Sequence, residues 1–101
     1  MARYMLYRTK SKNGNSDELD EMRIEFEGIY KKHNVNIIGF WENVDDPSEV
    51  YYLSKFEDET DYKSKVEQLR NDDRYIELTK KLEEIRLESH SVRLKPMWVA
   101  E

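Results

Sequence analysis

The stretch "GFWENVDDPSEVYYLSKFE", residues 39–57, carries two Tyr, one Trp and two Phe in nineteen positions. It reads as two strands, residues 35–44 and 49–56, joined by the turn "DDPS" into an antiparallel hairpin. With strict alternation, Val35, Ile37, Gly39 and Trp41 point one way and Ile38, Phe40 and Val44 the other. On the second strand Val50, Tyr52 and Phe56 oppose Tyr51 and Leu53. A sheet with one wet face alternates apolar with polar residues. This hairpin is apolar on both faces, so any fold that holds it must cover both.

The rest of the chain supplies one cover. Residues 2–10 alternate and read as a strand, with Tyr4, Leu6 and Arg8 on one side and Met5, Tyr7 and Thr9 on the other. After the loop "SKNGNS" a helix is expected from Asn15 or Ser16, where Asn15 and Glu18 fit a capping box. Leu19, Met22, Phe26, Ile29 and Tyr30 form its apolar stripe, and "KKHN" ends it, with His33 at the exposed helix end. Asp58 suits the N-cap of a second helix reaching about Leu69, with Tyr62, Val66 and Leu69 inward. "RNDD" interrupts it, and Asp72 or Asp73 caps a further segment with Leu78, Leu82 and Ile85 inward. A last strand runs from Leu87 toward Leu94, closed by Pro96. The order strand, helix, strand, strand, broken helix, strand predicts an α+β, ferredoxin-like βαββαβ domain over residues 1–101. Right-handed crossovers place the helices on one face of a four-stranded antiparallel sheet.

That leaves the other sheet face bare. Exposed apolar patches of this size mark interfaces, and two such sheets packed about a two-fold axis cover each other. The chain is therefore expected to partner itself as a homodimer. Composition narrows the remaining partners. Net charge is −5, from 17 Lys+Arg against 22 Asp+Glu, and no basic stripe is present, which argues against nucleic acid. No apolar run approaches the ~20 residues of a membrane span, so no membrane insertion is expected. Cysteine is absent, which excludes disulfides, thiolate metal sites and a Cys nucleophile and is compatible with a cytoplasmic location.

"IIGFWENVDDPSEVYYLSKFED" resembles the central hairpin of the NIPSNAP family, and "RNDDRYIELTKKLEEIRLESHSVRLKP" is similar to that family's C-terminal half. The resemblance spans residues 4–96; on the first strand, where the family shows Glu-Leu-Arg, only Arg8 of Leu6-Tyr7-Arg8 matches. It implies the dimeric α/β-barrel superfamily, whose members include cofactor-free monooxygenases of aromatic compounds, haem-degrading enzymes and isomerases. Haem-degrading relatives rely on a His in the second helical segment, and residues 58–85 contain none.

The candidate site follows from residue types. Trp41 and Tyr51 either fill core or interface, or wall a sheet–helix cavity in which Gly39 leaves room for a small apolar or aromatic molecule. His90, in phase with Val92 and Leu94, is either a hydrogen-bonded core residue or a general base. Arg8 and Arg93, on neighbouring strands, either fix a ligand carboxylate or pair with Glu42, Glu49 or Glu88. The two His are too far apart for a metal motif, so neither metal nor cofactor is expected. Two functions stand side by side: a protein that binds or transforms a small apolar or aromatic ligand, and a non-catalytic assembly module with a filled core.

Overall fold

A computed structural model describes residues 1–99 of the chain. Seven elements follow in order: β1 (Arg3–Ser11), α1 (Asp17–Lys32), β2 (Asn36–Asn43), β3 (Asp46–Phe56), α2 (Glu59–Arg70), α3 (Asp73–Ile85) and β4 (Arg86–Leu94). The sheet order is β2-β3-β1-β4, antiparallel throughout. This is the expected βαββαβ plan with its second helix broken in two.

The helix ends show why the breaks fall where they do. Asp58 accepts the backbone N–H of Asp61 at 2.8 Å and starts α2. Asp72 accepts those of Arg74 and Tyr75 at 2.9 and 3.2 Å and starts α3. Each satisfies donors that a first helical turn leaves orphaned. At α1 the expected capping box does not form. Ser16 occupies the N-cap without a side-chain capping bond, its hydroxyl donating to Glu42 instead, while Asn15 Oδ1 accepts the Asp17 N–H at 3.1 Å and Glu18 binds Asn13. α1 stops because Asn34 adopts φ +58°, a left-handed conformation that Asn tolerates, which turns the chain into β2.

His33 is not a free helix end. Its Nε2 lies 2.6 Å from the Asp72 carboxylate and its Nδ1 3.2 Å from Gln68 Oε1, tying the end of α1 to α2 and α3. Lys32 also reaches Asp72, at 3.1 Å. His33, Lys32 and the two capped N–H groups converge on one carboxylate and hold it far below the ordinary carboxylate range. Sequence distance hides this junction, since residues 33 and 72 meet only after the fold is complete.

The core lies between the helices and one sheet face. Met5, Val35 and Phe56 meet Ile29, Leu69 and Leu78, the last with no exposed surface. The hairpin departs from strict alternation. Its turn is tighter than expected, with Val44 and Asp45 between the paired Asn43 and Asp46, and Asn43 Oδ1 accepts the Asp45 N–H at 2.9 Å. Pro47 and Ser48 belong to β3. β2 also carries a bulge: Ile37 pairs with Ser54, but Gly39, not Ile38, pairs with Leu53. One extra residue reverses the phase of everything after it. Ile37 and Phe40 therefore both face the helices, while Gly39 and Trp41 face away. The expectation that Ile37, Gly39 and Trp41 share a face is corrected by this bulge.

Candidate functional site

Two surfaces compete for a functional role, one on each side of the sheet. On the helix side, a half-open cavity of about 140 Å3 lies between the sheet and helices α1 and α3. Alternation along β1 and β3 sends Tyr7, Thr9, Val50 and Tyr52 into it. The α1 stripe adds Met22, Phe26 and Tyr30, and α3 adds Tyr75 and Thr79. The rings are ordered against each other. Tyr7 and Tyr52 stack with centroids 4.3 Å apart and planes 9° apart, and Phe26 meets Tyr75 edge-on at 5.9 Å.

The polar content of this cavity is a set of phenols joined by the hydroxyls of Thr9, Thr79 and Ser89, with Arg23, Glu27 and Arg86 also on its wall. The Tyr30 and Tyr52 hydroxyls are 3.3 Å apart. Burial, reinforced by the neighbouring phenols, pushes Tyr7 up to about 12 and drives Tyr30 and Tyr52 higher still. These side chains stay protonated through the physiological range, so the cavity holds neutral hydroxyls rather than a phenolate base. Tyr52 keeps some accessible surface because its ring walls the cavity, yet its hydroxyl is cut off from bulk water. Two arginines stand at the edge, both already engaged. Arg23 binds Asp20 at 2.8 Å and Glu27 at 2.7 Å and lies over the Phe40 ring, and Arg86 binds Glu83 at 3.0 Å. A second hollow, over Ile24, Gly28 and Val35, encloses more space, about 410 Å3. It is a shallow groove edged by Glu27 and Lys31, without the converging hydroxyls, and we give it no role.

None of the residues singled out by sequence lines the cavity. Trp41, Tyr51, Arg8 and His90 instead form one continuous row across all four strands: Trp41 opposite Tyr51, Tyr51 opposite Arg8, Arg8 opposite His90. The row lies on the sheet face away from the helices. The expectation of Trp41 as a cavity wall is thus corrected by the β2 bulge, that of Tyr51 by its pairing with Arg8 in the unbroken β1–β3 ladder, and that of an inward His90 by the register of β4. Arg93 is separated from Arg8 altogether. Paired with Met5, it points to the helix side, where it binds Glu59 and lies 4.2 Å from the Tyr62 ring centroid. Arg8 takes the ion-pair alternative, reaching Glu49 at 2.8 Å and Glu88 at 2.5 Å. Glu49 also accepts from Tyr51 and from Asn43, which together with Arg8 lower its pKa.

Gly39 has a definite reason on this open face. A Cβ there would lie 2.4 Å from Cζ2 and 2.6 Å from Cη2 of Trp41, so the indole rests directly on the glycine backbone. The room left by the missing side chain is filled by Trp41 rather than by a ligand. Around the row lie Leu6, Leu53, Val92 and Leu94, with Trp41 half exposed. The cavity's tyrosines were visible in the sequence as alternating inward positions of β1 and β3, but their distance along the chain from Tyr30 and Tyr75 concealed the cluster.

Among the described residues no helix is long and apolar enough to cross a membrane. No family model matches the sequence, and no curated protein matches it either. Solved structures do. A NIPSNAP family protein from Agrobacterium tumefaciens superposes with a TM-score of 0.83 at 19% identity, covering 96% of this chain and 94% of that one. A NIPSNAP domain protein from Burkholderia xenovorans gives 0.85 at 18% identity over 100% and 99%. SnoaB, a cofactor-independent oxygenase from Streptomyces nogalater, gives 0.79 at 8% identity over 97% and 95%. With its element order, its sheet order and near-complete superposition on these structures, the chain has the fold of the NIPSNAP family structures, an α+β fold with a four-stranded antiparallel sheet that SnoaB shares.

Proposed function

We propose that the protein is a homodimer that binds a small apolar or aromatic molecule in the sheet–helix cavity of each chain. The observation that carries the ligand reading is the cavity itself, about 140 Å3 walled by aromatic rings that converge on hydroxyl groups. Its tyrosines are held neutral, His90 lies on the opposite face, and the carboxylate on its wall, Glu27, is engaged by Arg23 at 2.7 Å, so this cavity offers no unpaired base. That favours binding over acid–base catalysis. Thermal-shift screening of aromatic compounds and fatty acids tests it on the wild type and on Thr79→Phe, which fills the cavity from α3. Stabilisation by some compounds, lost in the variant, is the expected outcome. If no compound stabilises the wild type, the ligand reading falls.

The homodimer rests on the open face. Strands of eight residues at about 3.3 Å per residue, four abreast at about 4.8 Å, present a footprint of roughly 500 Å2 before side-chain relief. That approaches the ~800 Å2 per partner of a standard interface. Trp41, Tyr51, Arg8 and His90 serve this interface in our reading. Light scattering at micromolar concentration should give twice 12.3 kDa, and a monomer there refutes it. A second reading, a non-catalytic assembly module whose cavity is unused, is favoured by one observation: 140 Å3 is well below the ~300 Å3 at which drug-sized pockets begin. It predicts the dimer without any ligand response.

A further inference from the structure

The ligand-binding reading can be sharpened to a chemical class, because size, hydrogen-bonding capacity and charge of the cavity are all on view. Its ~140 Å3 is close to the about 150 Å3 of apolar protein cavities that accommodate a single benzene ring. One six-membered ring therefore fits inside, and a second would remain in solvent.

The hydroxyls define what that ring must carry. The Tyr30 and Tyr52 hydroxyls lie 3.3 Å apart, and Tyr7, Thr9, Tyr75, Thr79 and Ser89 bring further hydroxyl-bearing side chains to the same wall. Each hydroxyl carries one proton, and the contact between Tyr30 and Tyr52 uses only one of their two, so the other O–H is left to donate. Each oxygen also accepts twice, so lone pairs remain in excess. A hydroxyl on the ligand accepts the surplus proton and donates to a surplus lone pair. An ether only accepts, and a hydrocarbon does neither.

Charge excludes the acidic alternative. The arginines on the cavity wall, Arg23 and Arg86, are already neutralised by Asp20, Glu27 and Glu83. A carboxylate entering among the rings would be desolvated without a free cation to meet it. We infer that the cavity selects a neutral, single-ring phenol whose hydroxyl joins the paired hydroxyls of Tyr30 and Tyr52. This rests on the ligand-binding reading above.

Calorimetric titration of the full chain with p-cresol, toluene, 4-methylbenzoate and 2-naphthol separates the possibilities. p-Cresol should bind roughly five- to tenfold tighter than toluene, the worth of one net hydrogen bond. 2-Naphthol should gain no more than a few-fold over p-cresol, whereas burying its second ring would add tens-fold. 4-Methylbenzoate should bind at least tenfold more weakly than p-cresol. The double variant Tyr30→Phe/Tyr52→Phe keeps every ring, so toluene affinity should hold within about twofold while the p-cresol advantage collapses. Toluene matching p-cresol, 4-methylbenzoate exceeding it, or 2-naphthol surpassing it by more than tenfold each overturns the phenol assignment while leaving a ligand cavity in place. Binding of none of the four to the wild type overturns the phenol assignment as well, and silence across the wider thermal-shift panel removes the ligand reading itself.

Discussion

Substituting Gly39→Ala asks whether the open face is a dimer interface. The new Cβ would stand 2.4 Å from the Trp41 ring, and ordinary carbon contacts begin near 3.5 Å, so the indole must retreat by about 1 Å. The backbone does not resist, since Gly39 has no positive φ, and replacing a strand glycine in this way stabilises a chain by about 0.4–1 kcal/mol. The cost falls on assembly. Trp41 is 50% exposed, which leaves about 100 Å2 of an aromatic side chain for a partner to cover. At about 25 cal/mol per Å2 that is about 2.5 kcal/mol per copy, and two-fold symmetry doubles it to about 5 kcal/mol per dimer, a ceiling because association has its own entropy cost. A displaced ring that loses a third of this contact weakens the dimer by about 1.7 kcal/mol, more than tenfold in Kd. Analytical ultracentrifugation reads the Kd. Tryptophan emission in a Trp98→Phe background, which removes the other and 83% exposed tryptophan, reads the ring. Emission that shifts while the Kd stays fixed refutes the interface, and emission that does not shift refutes the packing of Trp41 on Gly39.

Two further outcomes follow from the titrating groups. Asp72→Ala should lower the melting temperature more than Asp72→Asn, because asparagine retains an N-cap acceptor for Arg74 and Tyr75 while alanine has none. The folded Asp72 pKa is depressed, so its contribution is complete above the unfolded value near 3.9 and is lost as pH falls further; the gap between wild type and Asp72→Asn should narrow in melts below about pH 4. The cavity phenols behave in the opposite sense. Their folded pKa values are raised, so their contribution is complete below about pH 10 and is lost as pH climbs toward the folded values, about 12 for Tyr7. In tyrosinate absorbance titrations, part of the seven tyrosines should stay silent at pH 11 until the protein unfolds.

The element order, the caps at Asp58 and Asp72 and the bare sheet face were all legible in the sequence, because each depends on neighbours within a few positions. The site was not. Period-two alternation assigns a residue to a face only while the ladder is unbroken, and the bulge at Ile38 breaks it inside a strand that is apolar on both sides. No polar residue marks the slip, so alternation alone places Trp41 on the wrong face. His33 and Asp72 failed for a different reason: their contact joins two helix ends 39 positions apart, and nothing local to either residue announces the other.

Consecutive tyrosines on β3 point in opposite directions, Tyr52 into the cavity and Tyr51 toward the open face. A sheet one residue thick thus carries two different surfaces written in alternate letters of one strand. If the cavity and the open face act as proposed, Val50 and Tyr52 can change to suit a different ligand while Tyr51 and Leu53 keep the same partner, and the reverse holds as well. A single inserted or deleted residue has no such freedom, because it exchanges the two vocabularies at once.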